Sequence, residues 1–113
     1  MKYMLLIYMG ENAMNETERE QCYKDSTALC RELHSGGQFI SANPLQPIAT
    51  ATSVRIREGK RLITDGPFAE TKEVLAGFVF IEAADKAEAL ELASHIPVGR
   101  YASIEVRPEL DLG

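Results

Sequence analysis

The stretch VLAGFVFIEAADKAEALELASHIPVGRYASIEVRP, residues 74–108, decides the fold. Val74 to Ile81 is apolar at nearly every position, which is the pattern of a well-buried strand. Gly77 inside it marks a bulge or a close backbone approach. Asp85 and Glu88 then open a helix whose apolar stripe is Ala87, Leu90 and Ala93, and Pro97 stops it. From Tyr101 to Arg107 the period changes to two. Ala102, Ile104 and Val106 point inward there and Ser103, Glu105 and Arg107 outward, until Pro108 ends the strand.

The same pattern occurs upstream. Residues 2–9 form an almost continuous apolar strand closed by Gly10. Asn15 and Glu18 have the spacing of a capping box. Cys22, Ser26, Leu29, Cys30 and Leu33 then recur every three or four residues, so a helix runs over about 16–35 and ends at Gly36-Gly37. Gln38 to Ala42 is a short strand stopped by Asn43-Pro44 and Pro47. Between the two halves, Thr52 to Thr64 alternates apolar and basic residues around Glu58-Gly59, a β-hairpin with one wet face. A loop from Asp65 to Glu73 follows.

The order β-α-β-(ββ)-β-α-β is α+β, a ferredoxin-like split βαβ arrangement with a hairpin inserted after its second strand. Two helices cover one face of such a sheet. The nearly continuous apolar character of its first and fifth strands implies cover on the other face too, and a second copy of the chain is the expected cover, making a homodimer. At 113 residues the chain is expected to form one domain, residues 1–113, with a radius of gyration of about 13 Å.

Composition excludes several classes of function. A net charge of −5 argues against general affinity for nucleic-acid phosphates. No apolar run approaches the roughly 18 residues of a membrane span, and the opening segment lacks a signal-peptide cleavage site, so a cytoplasmic location is expected. Cys22 and Cys30, eight residues apart on one helix, lie about 12 Å apart along its axis, too far for a disulfide. With only His34 and His95 beside them, no Cys/His zinc spacing can be assembled. Phosphate-cradling glycine patterns, a Gly-x-Ser-x-Gly elbow and a Cys-x-x-Cys pair are absent from the sequence. No metal or other cofactor is expected.

Thr64-Asp65-Gly66-Pro67-Phe68-Ala69-Glu70-Thr71-Lys72-Glu73, followed by Gly77-Phe78 and closed by Ile104-Glu105-Val106-Arg107-Pro108, resembles the YCII-related, or DGPF-domain, family. The likeness includes Tyr3 to Tyr8, Leu45-Gln46-Pro47 and Val54 to Arg57. It implies a ferredoxin-like protomer assembling as a dimeric α/β barrel. Small cofactor-independent enzymes acting on aromatic or polyketide-like substrates are frequent in that superfamily, whereas other DGPF members are associated with extracytoplasmic-function sigma factors. The YCII branch carries a proposed His–Asp pair, its histidine in an Arg-x-x-His pattern on the first helix. The nearest match here is Arg19-Glu20-Gln21-Cys22, with cysteine in place of the histidine.

Several residues have both a structural and a chemical reading. Asp65, at a strand end before Gly66-Pro67, suits either an Asx-type turn or a general acid or base in the sheet–helix cleft. Glu70 and Glu73 flank the same loop as solvated charges or as a second carboxylate. His95, in the last turn of the second helix, suits a capping role or proton transfer, and His34 occupies the equivalent place in the first. Tyr8, Tyr101 and Arg107 lie at strand ends and, with Phe68, are candidates for binding a polar aromatic ligand. Arg55, Arg57, Lys60 and Arg61 concentrate basic charge on the hairpin, either protecting an edge or engaging an acidic protein partner.

Two functions are consistent with these residues. One is a cofactor-independent enzyme using Asp65, His95 and Glu73 for proton transfer on a polar or aromatic small molecule. The other is a non-catalytic dimeric ligand-binding or regulatory module.

Overall fold

A computed structural model describes residues 1–113. Its elements are β1 (Lys2–Met9), α1 (Glu16–Ser35), β2 (Phe39–Pro44), β3 (Thr52–Arg57), β4 (Lys60–Asp65), β5 (Val74–Glu82), α2 (Lys86–Ala93) and β6 (Ser103–Pro108), with 3-10 turns at Ile48–Thr50 and Pro97–Arg100. Strands β2, β5, β1 and β6 pair in that order as an antiparallel sheet, while β3 and β4 pair only with each other. The four-stranded order with two helices on one face is ferredoxin-like.

Register explains the core. On β1, Tyr3, Leu5 and Ile7 alternate onto one face and are buried. Their partners Ile81, Val79 and Gly77 on β5, and Val106 and Ile104 on β6, share that face, because residues directly opposite in a ladder point the same way. Cys22 and Leu33 of α1 and Ala89 of α2 close over it in a single cluster. Met4, Leu6, Tyr8, Phe78 and Phe80 fall on the opposite face, which no element of the chain covers, and all are half-buried.

The helix ends follow their caps. Asn15 Oδ1 accepts from the Glu18 N–H at 2.8 Å while Glu18 Oε1 accepts from the Asn15 N–H at 3.0 Å, so the capping box forms reciprocally. At the other end Gly37 takes φ +76° and Gln38 N–H donates to Leu33 O. Asp85 caps α2 through the Glu88 N–H at 2.9 Å.

Four details differ from the sequence reading. Strand β2 continues through Pro44, which pairs with Gly77; as an edge strand it loses no ladder bond to the missing N–H. The packed stripe of α2 is Ala89, Leu92 and Ala93, not Ala87, Leu90 and Ala93, and Leu90 is exposed. The helix is eight residues long, and whichever side meets Ile96 and the sheet sets its rotation. Tyr101 and Ala102 belong to the turn before β6. The hairpin exposes both faces rather than one, and it extends the chain to 46 × 43 × 19 Å with a radius of gyration of 15.9 Å, above the expected 13.

Gly77 makes both features its sequence context suggests. Between Ile7 and Tyr8 the β1–β5 register slips by one, leaving Ala76 as a bulge residue. A Cβ on Gly77 would lie 2.8 Å from Asn43 O and 3.1 Å from Pro44 Cα, so β2 approaches β5 more closely there than any side chain permits.

Candidate functional site

Small side chains line up on both walls between α1 and the sheet. Ser26, Cys22 and Cys30 face inward from the helix, and Ala42, Ala76 and Gly77 face them from β2 and β5. Where the walls would meet, there is too little side chain to fill the space, and a cleft of about 750 Å³ results. Leu29, Leu33, Phe39 and Val79 line its depth, and Asn43 to Ile48 form its outer wall. The wall is held in place because Leu45 N–H donates to Ala76 O at 2.8 Å and Ile48 N–H to Glu11 Oε1 at 3.1 Å.

Nineteen of the 29 lining residues are hydrophobic, so the cleft presents mainly apolar surface with a few polar groups set in it. The ionisable ones are Glu11, Arg19, Cys22, Tyr23 and Cys30. Glu11 is committed to Ile48, whereas Arg19 enters no ion pair and no side-chain hydrogen bond. Burial pushes the Cys22 thiol up, with Arg100 opposing and Asp25 and Glu18 adding to the rise. Burial alone raises Cys30. Both are free thiols, held protonated at neutral pH. No three His, Cys, Asp or Glu side chains gather as a ligand set.

The residues singled out in the sequence are placed elsewhere. Asp65 ends β4 opposite Thr52, exposed. The turn after it is held by Gly66 N–H to Ala51 O and by Ser53 Oγ–H to Gly66 O, both 2.8 Å, not by the Asp65 carboxylate. His95 lies just beyond α2, largely exposed, with Nδ1 2.8 Å from Glu91 O. A carbonyl oxygen only accepts, so Nδ1 carries a proton. His34 is exposed at the end of α1, its ring edge-on to Phe39 with centroids 6.5 Å apart. Glu73 and Tyr8 do come together at one end of the sheet, because Ser103 pairs with Tyr8 and donates to Glu73 Oε1 at 3.2 Å. Glu70 is exposed nearby in sequence.

Arg107 pairs with Met4, about 13 Å along β1 from Tyr8, and its Nε lies 3.5 Å from Glu105 Oε2. Tyr101 donates to Glu18 Oε2 at 2.8 Å, tying the turn before β6 to the start of α1. That bond raises the Tyr101 hydroxyl, and the Asn15 N–H followed by Tyr101 lowers Glu18. Phe68 is exposed beside the hairpin, its carbonyl accepting from Arg55 Nη2 at 3.1 Å.

The cleft therefore contains none of Asp65, His95, Glu73, Tyr8, Tyr101, Arg107 and Phe68, but it does contain Arg19 and Cys22 of the Arg-x-x-Cys match. Its walls were visible in the sequence as a helical stripe in which serine and two cysteines replace the usual leucines. Small residues on an inward stripe signal a gap as readily as a core.

A model of the YCII-related domain matches residues 1–111. An uncharacterized protein of Rhizobium meliloti (strain 1021) is 35% identical over 113 residues, an alignment covering 96% of this chain and 91% of that one. With a family model spanning nearly every element just described and a relative aligned almost end to end, the chain belongs to the YCII-related family.

Proposed function

We propose that the chain is a homodimeric small-molecule-binding protein whose ligand, apolar and of aromatic size with one polar or anionic group, occupies the cleft between α1 and the sheet. The observation that carries this is the cleft itself: a volume within the roughly 300–1,000 Å³ of ligand sites, an apolar lining, and an uncommitted guanidinium at Arg19. Binding rather than proton transfer is what the lining favours. Asp65, His95 and Glu73 lie outside it, and its thiols are protonated. The dimer is supported by the uncovered sheet face, where Met4, Leu6, Phe78 and Phe80 present contiguous apolar surface that a second copy would bury, closing an α/β barrel.

Cys22 and Cys30 report on the cleft. A panel of hydroxylated aromatic compounds and aromatic carboxylates should include members that raise the melting temperature and slow alkylation of the two thiols. Ser26→Phe, which fills the cleft from the helix wall, should abolish both effects. If no compound protects either thiol, or Ser26→Phe leaves protection intact, the cleft is not the ligand site. Conversion of a protecting compound during incubation would replace the binding reading with an enzymatic one.

A further inference from the structure

Strands β3 and β4 form a two-stranded sheet whose only hydrogen-bonded neighbours are each other and the adjoining loop residues. A lone hairpin is marginally stable in water unless one face packs against something. Here the face that should be packed is recognisable. Val54 lies directly opposite Ile63, and Ile56 follows on the same face opposite Arg61. These three β-branched side chains are 59%, 56% and 66% exposed. Such residues suit a strand because neighbours cover them, and a contiguous exposed set marks a contact surface. The opposite face is already partly occupied, since Arg55 there bonds to Phe68 O.

We propose that this hairpin is an arm whose Val54–Ile56–Ile63 face seats on a second copy of the chain. Charge favours that occupant. Four basic against two acidic residues give Thr52 to Asp65 a charge of +2, leaving −7 on the remainder of a chain whose total is −5. A second copy therefore offers the arm an acidic body. The hairpin is a separate two-stranded sheet outside the four-stranded one, in a chain that extends to 46 × 43 × 19 Å.

The proposal rests on the dimer reading given above, and the experiment separates the two. Light scattering gives the parent's assembly state, and isotope-edited NMR on a mixture of labelled and unlabelled chains identifies methyl contacts that cross between copies. The expected result is a dimer with intermolecular contacts from Val54, Ile56 and Ile63. Replacing all three by threonine, which keeps β-propensity, should weaken the dimer by at least about tenfold. Should that variant misfold, Arg61→Glu reads the same face, because the Arg61 side chain makes no hydrogen bond or ion pair within its chain. It should weaken the dimer similarly, in a salt-sensitive way.

A parent dimer with no cross-chain contacts from the arm, or foldable variants that dimerise as tightly as the parent, overturns the arm and leaves the sheet-face dimer standing. A parent that is monomeric at micromolar concentration overturns both, including where the arm instead captures an acidic protein.

Discussion

Two antiparallel ladders, both with β-branched residues along their strands, behave oppositely in this molecule. In the β1–β5 ladder, Leu5 and Ile81 are 1% and 0% exposed, while in the β3–β4 ladder Val54 and Ile56 stay largely in water. The difference is not propensity, since both ladders are rich in strand formers. It is the third dimension: β1 and β5 have helices over one face and flanking strands on either side, and the hairpin has neither. A ladder of hydrogen bonds gives a strand pair its shape, and burial of apolar surface gives it most of its stability.

Removing that burial should show the contrast most strongly. Leu5→Ala, at a fully covered position, should cost about 2–5 kcal/mol by denaturant titration, and a loss under 1 would mean the core is looser than its packing indicates. Next, Gly77→Ala forces a Cβ against Asn43 O and Pro44 Cα, both backbone atoms, and should cost about 1–3 kcal/mol as β2 is pushed from β5. Amide exchange should rise first in residues 39–44. Smallest is a change in the hairpin turn. Glu58 holds φ +52° before Gly59 at +75°, the left-handed pair of a two-residue turn in which asparagine is favoured over glutamate. Glu58→Asn should slow amide exchange of the hairpin severalfold, a gain under about 1 kcal/mol, while the melting temperature of the body stays where it was. A parallel shift in both would show that the hairpin and the body unfold as one unit.

Legibility in the sequence follows the same division. Period and punctuation gave all eight main elements, because Gly36-Gly37, Glu58-Gly59, Pro97 and the Asn15 and Asp85 caps act locally on the backbone. Pro44 misled by two residues because its cost depends on whether the strand lies at an edge, which is a tertiary fact. The packed face of α2 departs from its periodic stripe for a related reason: eight residues give too few turns for periodicity to outvote contact with Ile96. The cleft was legible only in part. Cys22, Ser26 and Cys30 were visible as an inward stripe, but whether small residues leave a void or are filled from across depends on Ala42 and Gly77, which come from other strands. The motif around Asp65 marks the end of a strand without stating what its carboxylate touches.

The bulge at Ala76 also sets how the chain tolerates changes in its length. Across it, Ile7 faces Gly77 and Tyr8 faces Leu75, so the residue between them is surplus to the ladder. Loss of Ala76 would leave every residue of β5 on its present side, at the expense of the carbonyl that holds Leu45. Loss of any one residue from Phe78 to Phe80 would reverse the faces of all that precede it, exchanging the sides that Val74 and Leu75 now take. In this strand, then, a single codon can be removed in one place with the alternation preserved, and that place borders the cleft.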